Sequence, residues 1–240
     1  MPLSDVGIVN LTLSRIGSTT QINSLDPTVD SSNEAAQAAV LYPANRDFLL
    51  TKYTWPFAKG TAVLNQVSQP GVRWSQEWNY AYAYPTDALR VIRLVPTYPQ
   101  SAATPPQTTG PGQVPFLYGN QPWKRADGNP DPWPFEVGNA PGNAAKLLLT
   151  DLGGQYTATA IYRQQAFNAM LWPADFQSVL AWRLGIDMSF ALAISDNRRK
   201  ACAEFYKSEL YSAIGDGINE GQSDLPLIGY QAQTRRARWG

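Results

Sequence analysis

Apolar residues along this chain change their spacing twice, and that double change limits the folds open to it. They recur at helical spacing up to about Trp55, at strand spacing from about Phe57 to Arg163, and at helical spacing again from Trp172. A β-rich module is therefore set inside a helical domain, with two helices before it and two after it. The first helical segment, "SDVGIVNLTLSRIG", offers Ser4 as N-cap, Asp5 in the first turn and Gly17 as a stop. Val6, Val9, Leu13 and Ile16 fall on one face of it. After the polar loop "GSTTQINSLDP", a second helix starts near Asp30 and runs through "EAAQAAVLYPANRDFLLTKY". Pro43 predicts a kink or break inside it, and Trp55-Pro56 predicts its end.

The segments "GTAVLNQV", "WNYAYAY", "ALRVIRLV", "WPFEVGN", "AKLLLT" and "QYTATAIYR" read as strands. The turn "YPTDA" predicts a hairpin between the second and third, and "DLGGQ" a turn between the last two. The stretch Pro96 to Asn143 holds 11 of the 19 prolines. It reads as a long excursion, tacked back onto the sheet by "FLYGNQPW" and "PWPFEV".

Trp172-Pro173 opens the third helix, "ADFQSVLAWRLGIDMSFALAI", which is apolar nearly all round and so predicts a central position. Arg183 and Asp187 stand at i,i+4 and can pair. Ser195 or Asp196 caps the fourth helix, which places Cys202, Phe205, Tyr206, Leu210, Ala213 and Ile214 inward and ends in "GDGINEGQSD". The expected fold class is α+β: a four-helix bundle with an inserted antiparallel β-sheet or sandwich and an extended C-terminal arm. The expected domains are 1–56 with 172–222 (helical), 57–171 (β-rich, with the Pro/Gly-rich loop 96–143) and 223–240 (arm).

The chain contains no histidine. That removes Ser-His-Asp and Cys-His catalysis and His-containing zinc sites, leaving carboxylate or lysine chemistry open. There is no GxxxxGK[ST], GxGxxG after a strand, GxSxG or CxxC. Asp127 and Asp131 bracket "GNP" but lack the terminal glutamate of a calcium loop, so a solvated turn is the simpler reading. Glu204 and Glu209 are five residues apart and do not share a helix face. The single cysteine, Cys202, falls on an apolar helix face and reads as buried and inert. Formal net charge is +0, so no overall field draws the chain to nucleic acid or membrane. No apolar run approaches a membrane span and "MPLSDVG" has no signal pattern, which predicts a soluble protein made without export. No cofactor, no metal and no enzyme activity are expected.

Three groups of residues stand out as binding candidates. Tyr80, Tyr82 and Tyr84 alternate with small residues and share one strand face. They pack the sheet or a neighbouring subunit, or they form an aromatic platform for carbohydrate or nucleic acid. Arg198, Arg199 and Lys200 cluster at the start of the fourth helix, where cations oppose the macrodipole. They mark a solvated surface or a contact with a charged partner or subunit. The last segment, "LPLIGYQAQTRRARWG", carries Leu225, Leu227, Ile228, Tyr230 and Trp239 with Arg235, Arg236 and Arg238. It is too rich in large apolar groups for a plain solvated tail, and it reads as an arm that folds onto a partner.

Several ordered phrases resemble the head-to-tail adaptors of short-tailed phages, of the tail tubular protein A type. "NLTLSRIG" resembles that family's opening N-x-A-L-x-x-I-G helix. Tyr42, Arg46, Asp47, Leu49, Leu50, Trp55, Phe57 and Ala58 match its Y-x-x-x-R-D-x-L-L-x-x-x-x-W-x-F-A phrase. "YAYAYPTDALRVIRL", "FEVGN", "LLLTDLGGQYTATAIYR" and "VLAWRLGIDMSFAL" resemble its later strands and helix. The resemblance runs to about Gly217; the proline-rich stretch and the tail depart from it. It implies a structural virion protein at the head–tail junction, made in the host cytoplasm. Such adaptors form homo-oligomeric rings, typically of twelve copies, between the portal protein and the tail nozzle protein. Double-stranded DNA passes through the lumen without sequence-specific binding, and the C-terminal arm reaches the portal. No membrane is involved.

Overall fold

The computed structural model describes residues 2–68, 74–97, 133–152 and 157–220. Among these, four α-helices and two antiparallel three-stranded sheets make a mixed α+β protein. The chain divides into a helical unit, up to Ala58 and again from Ala166 onward, and a β unit spanning Lys59–Gln165. Residues 166–171 thus go with the helices, whereas the expected boundary lay after 171.

In the helical unit, α1 spans Asp5–Ile16. The Ser4 hydroxyl accepts from the Gly7 amide at 3.1 Å, and Gly17 closes the helix at φ 77°. Both ends lie where the capping residues predict. α2 spans Asn33–Lys52 and is capped by Ser32. Asp30 is not its start; that carboxylate accepts from the amides of Asn23 and Ser32 and pins the preceding loop. The predicted break at Pro43 is absent, and α2 runs on through it. A proline inside a helix costs about 3 kcal/mol. Here the buried positions Ala38, Tyr42, Asn45, Leu49 and Leu50 lie on both sides of Pro43, so packing holds the helix across it.

α3 spans Ala174–Ala191 and packs against α1, α2 and α4, the central place its all-round apolarity predicts. Phe176, at 0% exposed, sits among Trp55, Phe57 and Trp172, with ring centroids 4.9, 5.0 and 5.1 Å away. These are edge-on contacts, favoured by the ring quadrupoles. Gln177 ties three segments together. Its carbonyl accepts from the Leu3 amide, and its Nε2 donates to the carbonyls of Ala169 and Trp172. α4 spans Asp196–Glu220 and so continues past Gly215 and Gly217, where it was expected to stop. Glycine weakens a helix without forbidding it. Phe205 does not point inward as predicted: it is 52% exposed and stacks on Trp182 at 4.8 Å.

In the β unit, the strands are β1 (Lys59–Val63), β2 (Tyr80–Ala83), β3 (Ala88–Thr97), β4 (Phe135–Asn139), β5 (Lys146–Thr150) and β6 (Thr157–Gln164). Their orders are β1-β6-β3 and β2-β5-β4, all antiparallel. The predicted "YPTDA" hairpin is therefore overturned: the turn passes the chain from one sheet to the other. The same holds for β5 and β6, although most of "DLGGQ" lies outside the described residues. Among the described strands only β4 and β5 form a hairpin, closing at Asn139 opposite Lys146. One core joins the two sheets, with Tyr82 and Leu148 from one and Val91, Leu94, Ala158, Ala160 and Tyr162 from the other. Most of the Pro/Gly-rich stretch, with Asp127 and Asp131, and the whole arm 223–240 lie outside the described residues.

Candidate functional site

The cation cluster sits where α3 turns into α4. Arg198 opens α4, but its guanidinium lies against Gly17, the left-handed cap of α1; a Cβ at Gly17 would overlap it. A charge misplaced for its own helix is thus well placed at the C-terminus of another. Arg199 pairs with Asp196 at 2.8 Å and lies 5.7 Å from the ring centroid of Phe190. Phe190 is 76% exposed, and Lys200 is exposed too. The structure brings Arg198 and Arg199 into contacts within the chain and leaves Lys200 on the surface.

The tyrosine row is part of the sheet core. Tyr82 is 3% exposed, pairs with Leu148 across the sheet and donates its hydroxyl proton to the Leu152 carbonyl at 2.8 Å. Burial pushes its pKa up, as it does that of Tyr84. Tyr80 and Tyr84 are half-buried against the same core, and the Tyr84 ring lies 5.7 Å from Lys146 Nζ. The opposite face of β2 is closed as well, since Ala81 is fully buried. Tyr82 has no ring face left for a sugar or base.

Among the described residues the other titratable groups do not converge. Cys202 is 1% exposed, and burial raises its thiol pKa, the reverse of what a nucleophile needs. Glu209 accepts from the Trp182 indole at 3.1 Å, while Glu204 is exposed. Arg15 lies 4.1 Å above the Trp182 ring and donates to the Ser178 carbonyl and hydroxyl. Arg183 pairs with Asp187 at 3.0 Å, as their spacing predicts. Among the described residues no three His, Cys, Asp or Glu side chains gather to hold a metal ion, and no helix is long and apolar enough to cross a membrane.

Sequence reasoning missed one surface. Phe167, Met170 and Leu171 are 61, 57 and 77% exposed. They precede Trp172, which is 4% exposed and whose indole N–H has no acceptor among the described residues. The signal was four large apolar residues in "FNAMLW", a stretch with neither helical nor strand period. The tail residues Leu225, Leu227, Ile228, Tyr230, Arg235, Arg236, Arg238 and Trp239 lie outside the described residues. No protein-family model matches the chain, and no curated protein matches it.

Proposed function

We propose that this chain is a structural virion subunit: a ring-forming head-to-tail adaptor that joins a portal protein to a tail nozzle and continues the DNA channel. In this reading the four helices act as one bundle, the two sheets as one sandwich, and residues 223–240 as the portal-reaching arm. One observation carries it: the phrases shared with the adaptor family fall on packing positions. Tyr42, Arg46, Leu49, Leu50 and Trp55 are all buried, and "VLAWRL" lies on the central helix. The Tyr42 hydroxyl donates to Asp5 at 2.8 Å and the Trp55 indole to the Leu49 carbonyl at 3.0 Å. The likeness is thus one of scaffold, and scaffold alone does not assign a function. An assembly role is favoured by a chain without histidine that ends in an apolar and basic segment. The aromatic-platform reading gains nothing from a Tyr82 ring packed in the core.

Deleting Leu225 to Gly240 tests the arm. The expected result is loss of portal attachment with the helical circular-dichroism signal retained. Normal occupancy on the portal by the shortened chain would exclude the arm as the portal contact.

A further inference from the structure

We propose that two copies of the chain pair about a two-fold axis through their helical units, the acidic patch around Val29 of one copy meeting the basic patch around Phe190 of the other. Each patch is an exposed apolar side chain among charges of one sign. Val29 is 72% exposed, and Asp26, Asp30 and Glu34 lie within five residues of it. No lysine or arginine occurs between Arg15 and Arg46. Phe190 is 76% exposed, with Arg199 over its ring and Arg198 and Lys200 beside Arg199 in α4. Arg199 is already paired, with Asp196. Among the described residues no cation pairs with the three carboxylates, and no carboxylate pairs with Arg198 or Lys200. The two patches leave their charges unmet within the chain.

Their charge and their placement say what covers them. The acidic loop is tied to α1 at Asn10, whose side chain bonds Ile22 in both directions, and the next amide, of Asn23, donates to Asp30. The basic patch is tied to α1 at Gly17, where the Arg198 guanidinium rests. The two anchors are thus about 10 Å apart along one helix. A polyanion drawn to the cations would meet the carboxylates at that short range, where repulsion is only partly screened. A second copy meets no such conflict. A two-fold operation sets each patch against its opposite and makes both contacts at once. The acidic side is also ready-made. Asp26 accepts from the Thr28 amide and hydroxyl at 2.8 and 2.7 Å, and Asp30 from the Asn23 and Ser32 amides at 2.8 and 3.1 Å. A loop held in this way loses little freedom on docking. The pairing goes beyond the adaptor reading and does not rest on it.

Sedimentation equilibrium of the full chain tests it. The expected result is a monomer–dimer equilibrium that weakens at least about tenfold between about 0.05 and 0.5 M salt, because the paired charges lie at the surface. Lys200→Glu and Glu34→Lys should each weaken it about tenfold, since every change acts twice in a two-fold dimer. Both side chains are exposed, so the fold tolerates the changes. The two changes together in one chain should restore association to within about threefold of the original. A chain that stays monomeric in low salt, association that ignores salt, or a double variant no tighter than the single ones would overturn the proposal. Growth beyond the dimer would overturn it too, because it would mean a head-to-tail contact.

Discussion

Gly17 shows how one residue serves two helices. Its φ of 77° ends α1, and its missing side chain admits the Arg198 guanidinium to that end. Gly17→Ala should lower stability by about 1–2 kcal/mol from the left-handed backbone alone, and by more if Arg198 is displaced. Thermal melts of the single variant and of Gly17→Ala with Arg198→Ala separate the two effects; an unchanged melt for Gly17→Ala contradicts both. Tyr42 carries a pH signature. Burial, then its hydrogen bond to Asp5, raises its pKa well above the ordinary tyrosine range, and burial does the same for Tyr206 beside Tyr53. The unfolded chain releases these protons near pH 10 and the folded chain does not. The stability from these shifts is fully present below about pH 10 and is lost as pH rises beyond it, by up to about 1.4 kcal/mol per pH unit for the buried Tyr42 and by less for Tyr206, which water partly screens. Tyr42→Phe should flatten that decline in urea midpoints measured from pH 8 to 11, and an unaltered slope refutes the assignment. The capping of α1 was legible because it is local: Ser4 and Gly17 act within their own turn. The partner of Arg198 was not, because nothing in "NRRK" says which helix end lies across from it.

At the scale of elements, local pattern told the type of each segment and little about its neighbours. All six strands form near where alternation placed them, yet "YPTDA" does not join paired strands. A turn only reverses the chain, and pairing is decided by which partner buries the strand. β2 is closed on both faces at Ala81 and Tyr82 and takes Leu147–Thr150 as its partner, far along the chain. Pro43 is the mirror case, a local breaker outweighed by the burial of Tyr42 and Leu49. α3 matters most among the helices because the other three all rest on it. Phe176→Ala removes the ring that Trp55, Phe57 and Trp172 enclose and should cost about 3–5 kcal/mol, read from chemical denaturation. A loss below about 1 kcal/mol would mean that the aromatic cluster does not hold the helical unit.

For the whole molecule, the insertion of a β unit between two pairs of helices was readable from the change of period, because period reflects which faces are buried. The candidate site was less readable. The tyrosines turned out to be core, Arg198 and Arg199 serve contacts within the chain, and the exposed Phe167–Leu171 surface showed only as an aperiodic cluster of apolar letters. An adaptor acts by assembling, so the proposed role meets its most direct test in electron microscopy of the purified full-length protein with and without its portal. The expected result is a closed ring of copies seated on the portal, coaxial with its channel. A protein that stays monomeric and leaves the portal bare at micromolar concentration would contradict the adaptor role.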